Sequence, residues 1–196
     1  MAHALVVHAH PVPDSFNSAL CARVVASLEA TGHTVDLLDL YAEDFDPVMG
    51  ANEWRGHRSP GVGGPALADY ARRLTAAEIL VFVYPTWWSE QPAILKGWFD
   101  RVWAEGVAYH RPPGAKRARG TLRQIHTLAV VTTHGSPRWI NAIQGETGRR
   151  RIFRSLRVLC HPRARNHWIA MYGMDSASET ERTAFMGRVE ARIAKL

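Results

Sequence analysis

A chain of 196 residues with 46% apolar and 21% charged side chains can bury a substantial core and has the balance of a globular protein in water. Without an apolar run near the roughly 18 residues of a membrane span, or the charged-then-apolar start of a secretion signal, it is expected to be cytoplasmic, one domain over residues 1–196, with no membrane insertion. The net charge of +6 is uneven, with thirteen Lys/Arg against one acid, Glu146, between Arg111 and Arg165, a field that draws anions or forms a solvated basic face.

In chain order, His3 to His8 is a short apolar strand stopped by His10-Pro11-Val12-Pro13. Asp14 or Ser15 can cap a helix with Leu20, Val24, Val25 and Leu28 on one face, ending near Gly32. Thr34 to Leu40 is a second strand. Residues 41–65 hold Pro47, Gly50, Pro60, Gly61, Gly63 and Gly64 and read as a long loop over one end of a sheet. A helix over 66–77 leads to the most apolar strand, Glu78 to Tyr84. An aromatic turn follows, then a helix with Ile94, Leu95, Trp98, Phe99 and Val102 at 3/4 spacing. After a Pro/Gly/basic loop over 110–120 come a strand from Ile125 to Thr132, a basic helix from Gly148 to Leu159, a short strand from Asn166 to Met171, and a closing helix from Ser176 to Leu196 capped by Ser178 or Thr180. Near-continuous apolar strands alternating with helices mean an α/β protein: a doubly wound parallel sheet with helices on both faces.

In such a sheet all strand C-termini face one side, where ligands bind. Three turns meet there: His10 to Asn17, Pro85 to Ser89, and Thr132 to Pro137. The first runs into a helix N-terminus with Ser15 and Asn17, an anion site suited to phosphate. It is neither a Walker loop nor G-x-G-x-x-G. The second supplies the flat walls of Trp87 and Trp88, and the third small residues and hydroxyls. Together they fit a phosphorylated planar heterocycle, with flavin the leading choice.

The residues His10-Pro-x-Pro-x-Ser15-Phe16-Asn17-x-Ala19-Leu20, Pro85-x-x-Trp88-x-x-x-Pro92-Ala93-Ile94-Leu95-Lys96-Gly97-Trp98-Phe99-Asp100-Arg101-Val102 and Ala108-Tyr109 resemble the NAD(P)H:quinone oxidoreductase family over about residues 3 to 150. The resemblance implies a flavodoxin-like five-stranded sheet of order 2-1-3-4-5 and a homodimer with its sites at the interface. FAD, with FMN as alternative, would be the cofactor and NAD(P)H the co-substrate. His10, Ser15, Phe16, Asn17 and Ala19 would hold the flavin phosphates and ribityl chain, and Pro85, Thr86, Trp87 and Trp88 would line the ring. Thr132, Thr133, His134 and Gly135 would meet the ring's polar edge, and Tyr109 of a neighbouring subunit would cover its open face. The chain departs from the family pattern in three places. His134 replaces the first glycine of a Thr-Thr-Gly-Gly loop, Arg111 stands where a second tyrosine is found, and Asn141, Gln144 and Thr147 occupy the region of a Tyr and a His. Arg111 either favours an anionic substrate or faces solvent.

The expected activity is ping-pong hydride transfer from NAD(P)H to a quinone or similar flat electrophile, with no side chain certain as acid or base. The alternative is a flavoprotein ancillary subunit docking on a membrane transporter through the basic stretch 111–165. Other chemistries have weaker signals. His8 and His10 share a strand face but lack a third metal ligand, so no metal is expected. Cys21 and Cys160 read as buried thiols. Ser136 beside His134 lacks a nucleophile elbow, and no nucleic-acid motif accompanies the charge.

Overall fold

The most apolar run of the sequence becomes the central strand of a parallel sheet. A computed structural model describes residues 1–56 and 64–196. Its strands are β1 (His3–His8), β2 (Thr34–Asp39), β3 (Ile79–Pro85), β4 (Tyr109–His110), β5 (Arg119–Gly120), β6 (Thr127–His134) and β7 (Arg165–Tyr172). Its helices are α1 (Phe16–Ala30), α2 (Ala51–Gly56), α3 (Gly64–Ala76), α4 (Ala93–Val102), α5 (Arg138–Ile143), α6 (Thr147–Arg150) and α7 (Glu179–Ile193). The parallel sheet has the order β2-β1-β3-β6-β7. That is the expected 2-1-3-4-5, once the small antiparallel ribbon of β4 and β5 is set apart.

Every residue of β3 is buried because helices cover both faces of the sheet. Leu80, Phe82 and Tyr84 pack with Leu5 and Val7 beneath α3 and α4. The alternate residues, Ile79, Val81 and Val83, pack with Ala4 and Val6 beneath α1 and α7. On α1, Asn17, Leu20, Cys21, Val24 and Leu28 form the buried stripe. The helix starts at Ser15, whose hydroxyl accepts the Ser18 N–H at 3.1 Å, a cap worth about 1 kcal/mol. Burial pushes the thiols of Cys21 and Cys160 up to about 12, which makes them inert core groups.

The described residues of the stretch 41–65 are more ordered than its composition implies. They contain α2 and are strapped to the sheet by charge. Arg73 binds Asp36 at 2.7 Å and Glu43 at 2.8 Å, and Arg101 binds Glu53 at 2.9 Å and donates to the Asp46 carbonyl. Pro47 lies so close on α4 that a Cβ at Gly97 would sit 2.4 Å from it. The glycine of Leu-Lys-Gly-Trp is therefore a packing requirement. Pro60, Gly61 and Gly63 lie outside the described residues.

Two expectations change. The helix over 148–159 is not continuous: α6 passes into π-helical turns at Arg151–Leu156 and a 3-10 turn at Arg157–Leu159. The wide turns seat Ile152 in the core, while the tight end offers the Leu159 carbonyl to the Leu122 N–H at 3.1 Å. The second change is α5, formed after Pro137 where the sequence reading places no element. Among the described residues no helix is long and apolar enough to cross a membrane.

Candidate functional site

The first turn leaves two side chains open at the N-terminus of α1. Val12 engages His10 Nδ1, its N–H at 3.0 Å and its carbonyl at 3.2 Å, which leaves Nε2 as the ring nitrogen without a partner among the described residues. Burial draws the His10 pKa down, opposed by the Val12 carbonyl beside Nδ1 and aided by His8. Asn17 is 3% exposed, and neither its Oδ1 nor its Nδ2 has a partner among the described residues. A buried amide left open costs about 1–3 kcal/mol. At a helix N-terminus, where N–H groups and the dipole favour an anion, this amide presents both a donor and an acceptor. His8 donates from Nδ1 to Asp39 Oδ2 at 2.9 Å, which gives this strand histidine a structural partner. Ser15 serves as helix cap and pairs with Ser18, Phe16 packs against the α1–α7 core, and Ala19 is exposed.

The second and third turns form one cleft of 480 Å³, with Pro85 to Ser89 on one side and Thr133 to Ser136 on the other. The Thr86 N–H joins them by donating to the Thr133 carbonyl at 2.8 Å. Trp87 and Glu90 exchange two backbone hydrogen bonds across Trp88 and Ser89, whose φ values are +49° and +65°. Two left-handed residues inside such a pair make a type I′ turn, normally the province of Asn-Gly. The strain is held from outside. Ser89 donates to Gln144 Oε1 at 2.7 Å, Thr147 donates to the Ser89 carbonyl, and Gln91 donates to the Gly148 carbonyl at 3.0 Å. Strain maintained in this way is characteristic of ligand clamps. Its effect is to hold Trp88 fully exposed and Trp87 42% exposed at the rim. The His10 ring is 6.2 Å from Trp87, so the first turn adjoins this wall.

Thr132 does not reach the cleft. It is fully buried, and its hydroxyl lies 3.0 Å from that of Thr86, which it supports from beneath. His134 lines the cleft. Asn141 donates from Nδ2 to the Ser136 and Pro137 carbonyls, which turns its Oδ1 toward His134 Nδ1 at 2.7 Å. Nδ1 therefore carries the proton. Nε2, 3.4 Å from the Thr86 hydroxyl, is an acceptor rather than a donor toward an electron-rich ring edge. Burial holds this imidazole below its ordinary value, although Asn141 and Glu146 pull the other way. Its ring stacks on Tyr172 at 4.6 Å, and Tyr172 receives the Trp168 N–H and donates to Glu146.

Met174 and Asp175 complete the cleft and were not singled out from the sequence. They follow β7 in a 3-10 turn tied to the third turn by the Gly173 N–H on the Ser136 carbonyl. A Cβ at Gly135 would lie 2.4 Å from Asp175 Oδ2, so only glycine lets this carboxylate approach. The signal was available: Gly173 ends the fifth parallel strand, and every such end faces the site. Tyr109 and Arg111 are elsewhere in their own chain, lining a depression with Glu105 on the β4–β5 ribbon.

The strand order, the strained aromatic turn after the central strand and the open polar site at the first helix together define a flavodoxin-like protein. The family model described as flavodoxin-like fold matches residues 2–184, and the chain belongs to that family. It is similar to NAD(P)H dehydrogenase (quinone) 1 of Rattus norvegicus, 33% identical over 149 residues that cover 68% of this chain and 54% of the relative. The chain thus spans about half the length of that curated relative. Among solved structures, Smu.1420 from Streptococcus mutans UA159 superposes with a TM-score of 0.85 at 29% identity, covering 99% of this chain and 100% of the other. NAD(P)H:quinone oxidoreductase from Methanothermobacter marburgensis gives 0.80 at 26% identity, covering 98% of each.

Proposed function

We propose that the protein is a flavin-dependent NAD(P)H oxidoreductase that reduces quinones or similarly flat electrophiles. The observation that carries this reading is the unpartnered buried amide of Asn17 at the α1 N-terminus, beside a cleft walled by exposed tryptophans. The similarity to proteins named as quinone oxidoreductases supports the activity.

In this reading Asn17, His10 Nε2 and the first N–H groups of α1 bind the cofactor's phosphate and polar chain, with Ser15, Phe16 and Ala19 shaping that turn. Pro85, Thr86, Trp87 and Trp88 orient the ring and keep water from one face. Thr133 and Gly135 approach its polar edge, while Thr132 and His134 fix Thr86 and the wall behind it. Flavin, when bound, supplies reversible hydride chemistry, so that reductant and acceptor can use one face in turn. No protein acid or base is required, since His134 is neutral and its Nδ1 proton is committed to Asn141. FAD is the form proposed, FMN the alternative. A homodimer, located in the cytoplasm, would let Tyr109 and Arg111 of a second copy cover the open face. No observation favours an ancillary transporter subunit.

Purified protein should be yellow, and chromatography of the flavin released by heat distinguishes FAD from FMN. Steady-state oxidation of NAD(P)H with a soluble quinone should give parallel double-reciprocal lines. A colourless protein that takes up neither flavin sinks the proposal.

A further inference from the structure

A second cleft, of 630 Å³, opens on the other side of the wall formed by His134, Tyr172 and Trp168. Arg138 enters it from α5, Arg149 and Arg150 from α6, and Arg154 from the π-helical turns that follow. Phe153 and Trp168 meet inside it edge to face, with centroids 6.1 Å apart. Glu146 is the acid of this cleft and is already engaged, accepting from Tyr172 at 2.7 Å and Arg149 at 2.8 Å. Among the described residues, Arg138, Arg150 and Arg154 have no ion pair or side-chain hydrogen bond.

Three guanidinium groups that line one cleft with two aromatic rings, and that pair with no acid among the described residues, raise the potential of the cleft and repel one another. The wide turns that carry Arg154 and Phe153 are themselves rare and concentrate at functional sites. Guanidinium matches phosphate oxygens bidentately, and indole or phenyl faces take a flat ring. The ligand class is therefore a phosphate dianion joined to an aromatic base. The cleft is also placed to serve the first one. A small pocket between them is lined by Thr86, His134 and Asn141 from the cofactor cleft and by Glu146, Arg149 and Trp168 from the basic one.

We propose that this basic cleft receives the adenosine 2′-phosphate of NADPH, so that NADPH is preferred over NADH. The proposal rests on the flavin-reductase reading: the nicotinamide would lie in the first cleft and the rest of the dinucleotide would cross the shared wall at Asn141 and Glu146. Arg138, Arg150 and Arg154 bind the phosphate; Arg149 holds Glu146 in place.

Isothermal titration calorimetry of the full chain with adenosine 2′,5′-bisphosphate, against 5′-AMP, tests the cleft directly. The bisphosphate should bind about tenfold tighter or more, the size of effect expected for charge-assisted hydrogen bonds, and the gap should shrink as salt is raised. The double variant Arg150→Gln with Arg154→Gln should lose it, and the paired Lys substitutions should restore part of it. In turnover, the NADPH/NADH ratio of kcat/KM should fall about tenfold in the Gln variant. Equal affinity for the two nucleotides in the wild type, or a gap that survives the Gln variant, overturns the proposal. The titration needs no flavin, so a colourless protein that still prefers the bisphosphate would sink the reductase reading and leave the cleft assigned.

Discussion

The first cleft and the basic cleft share a wall but are built on opposite principles. In the first, the polar side chains of the wall bond one another: Thr86 with Thr132 and His134, His134 with Asn141, and Ser89 with Gln144. In the second, three arginines face an aromatic floor without acids to neutralise them. A closed neutral network fixes shape, and its parts matter to the folded protein whether or not a ligand is present. Open surface cations contribute little to stability and can be changed almost freely until an anion arrives. The exception on the first side is Asn17, a buried amide with neither end partnered among the described residues.

The comparison can be broken most severely at Asn141. Asn141→Ala removes the partner of His134 and two carbonyl contacts, and should cost about 2–3 kcal/mol in urea denaturation. A loss as small as that of a surface residue would show that the wall is not a connected network. Asn17→Leu should weaken flavin binding about tenfold or more by fluorescence titration, roughly 1.4 kcal/mol. The apoprotein should melt at the same temperature or higher, because an unsatisfied buried amide has been removed. If the apoprotein is instead clearly destabilised, Asn17 has an internal role and the open-site reading fails. In the basic cleft, Arg154→Gln should change stability by less than about 0.5 kcal/mol. A larger loss would mean that Arg154 is a structural residue.

The smallest effect concerns pH. His134 has its folded pKa below the ordinary 6.5, chiefly through burial. The unfolded chain therefore takes up the proton more readily, and the unfolded state binds more protons in this window. Its contribution to stability is complete above 6.5 and is lost as pH falls through the folded value. His134→Gln should flatten the denaturation midpoint against pH below 6.5, whereas Arg154→Gln should leave that slope as in the wild type.

Much of this molecule was legible in its sequence. The runs of β1, β3 and β6 carry apolar residues on both faces, so their place inside a parallel sheet follows from composition and spacing. The same spacing placed α1 and α4 and, with the rule that parallel strands end on one side, gathered the three turns. Less legible were groups whose role depends on a distant partner. Thr132 reads like Thr133, but its depth in β6 turns its hydroxyl onto Thr86. The tautomer of His134 is set by Asn141, which only the fold brings beside it. Asp175 reaches the cleft because Gly135 has no Cβ, and Arg149-Arg150-Arg151 falls within one basic helix by sequence although Arg149 pairs with Glu146, Arg151 with Glu90 and Arg150 with no acid among the described residues.

The sequence by itself determined the class of fold and where the three turns fall, because periodicity and helix-capping chemistry are local, while the strand order followed from the family resemblance. Only the tertiary structure decided that Trp88 and Ser89 form a strained left-handed turn, that Asn17 is buried without a partner, and that α5, α6 and the π-helical turns enclose a second cleft. Each of these depends on what lies opposite a residue after folding. Spacing along the chain does not contain that information, because contacts more than 50 residues apart, such as Ser89 with Gln144, are made only when the sheet brings its strand ends together.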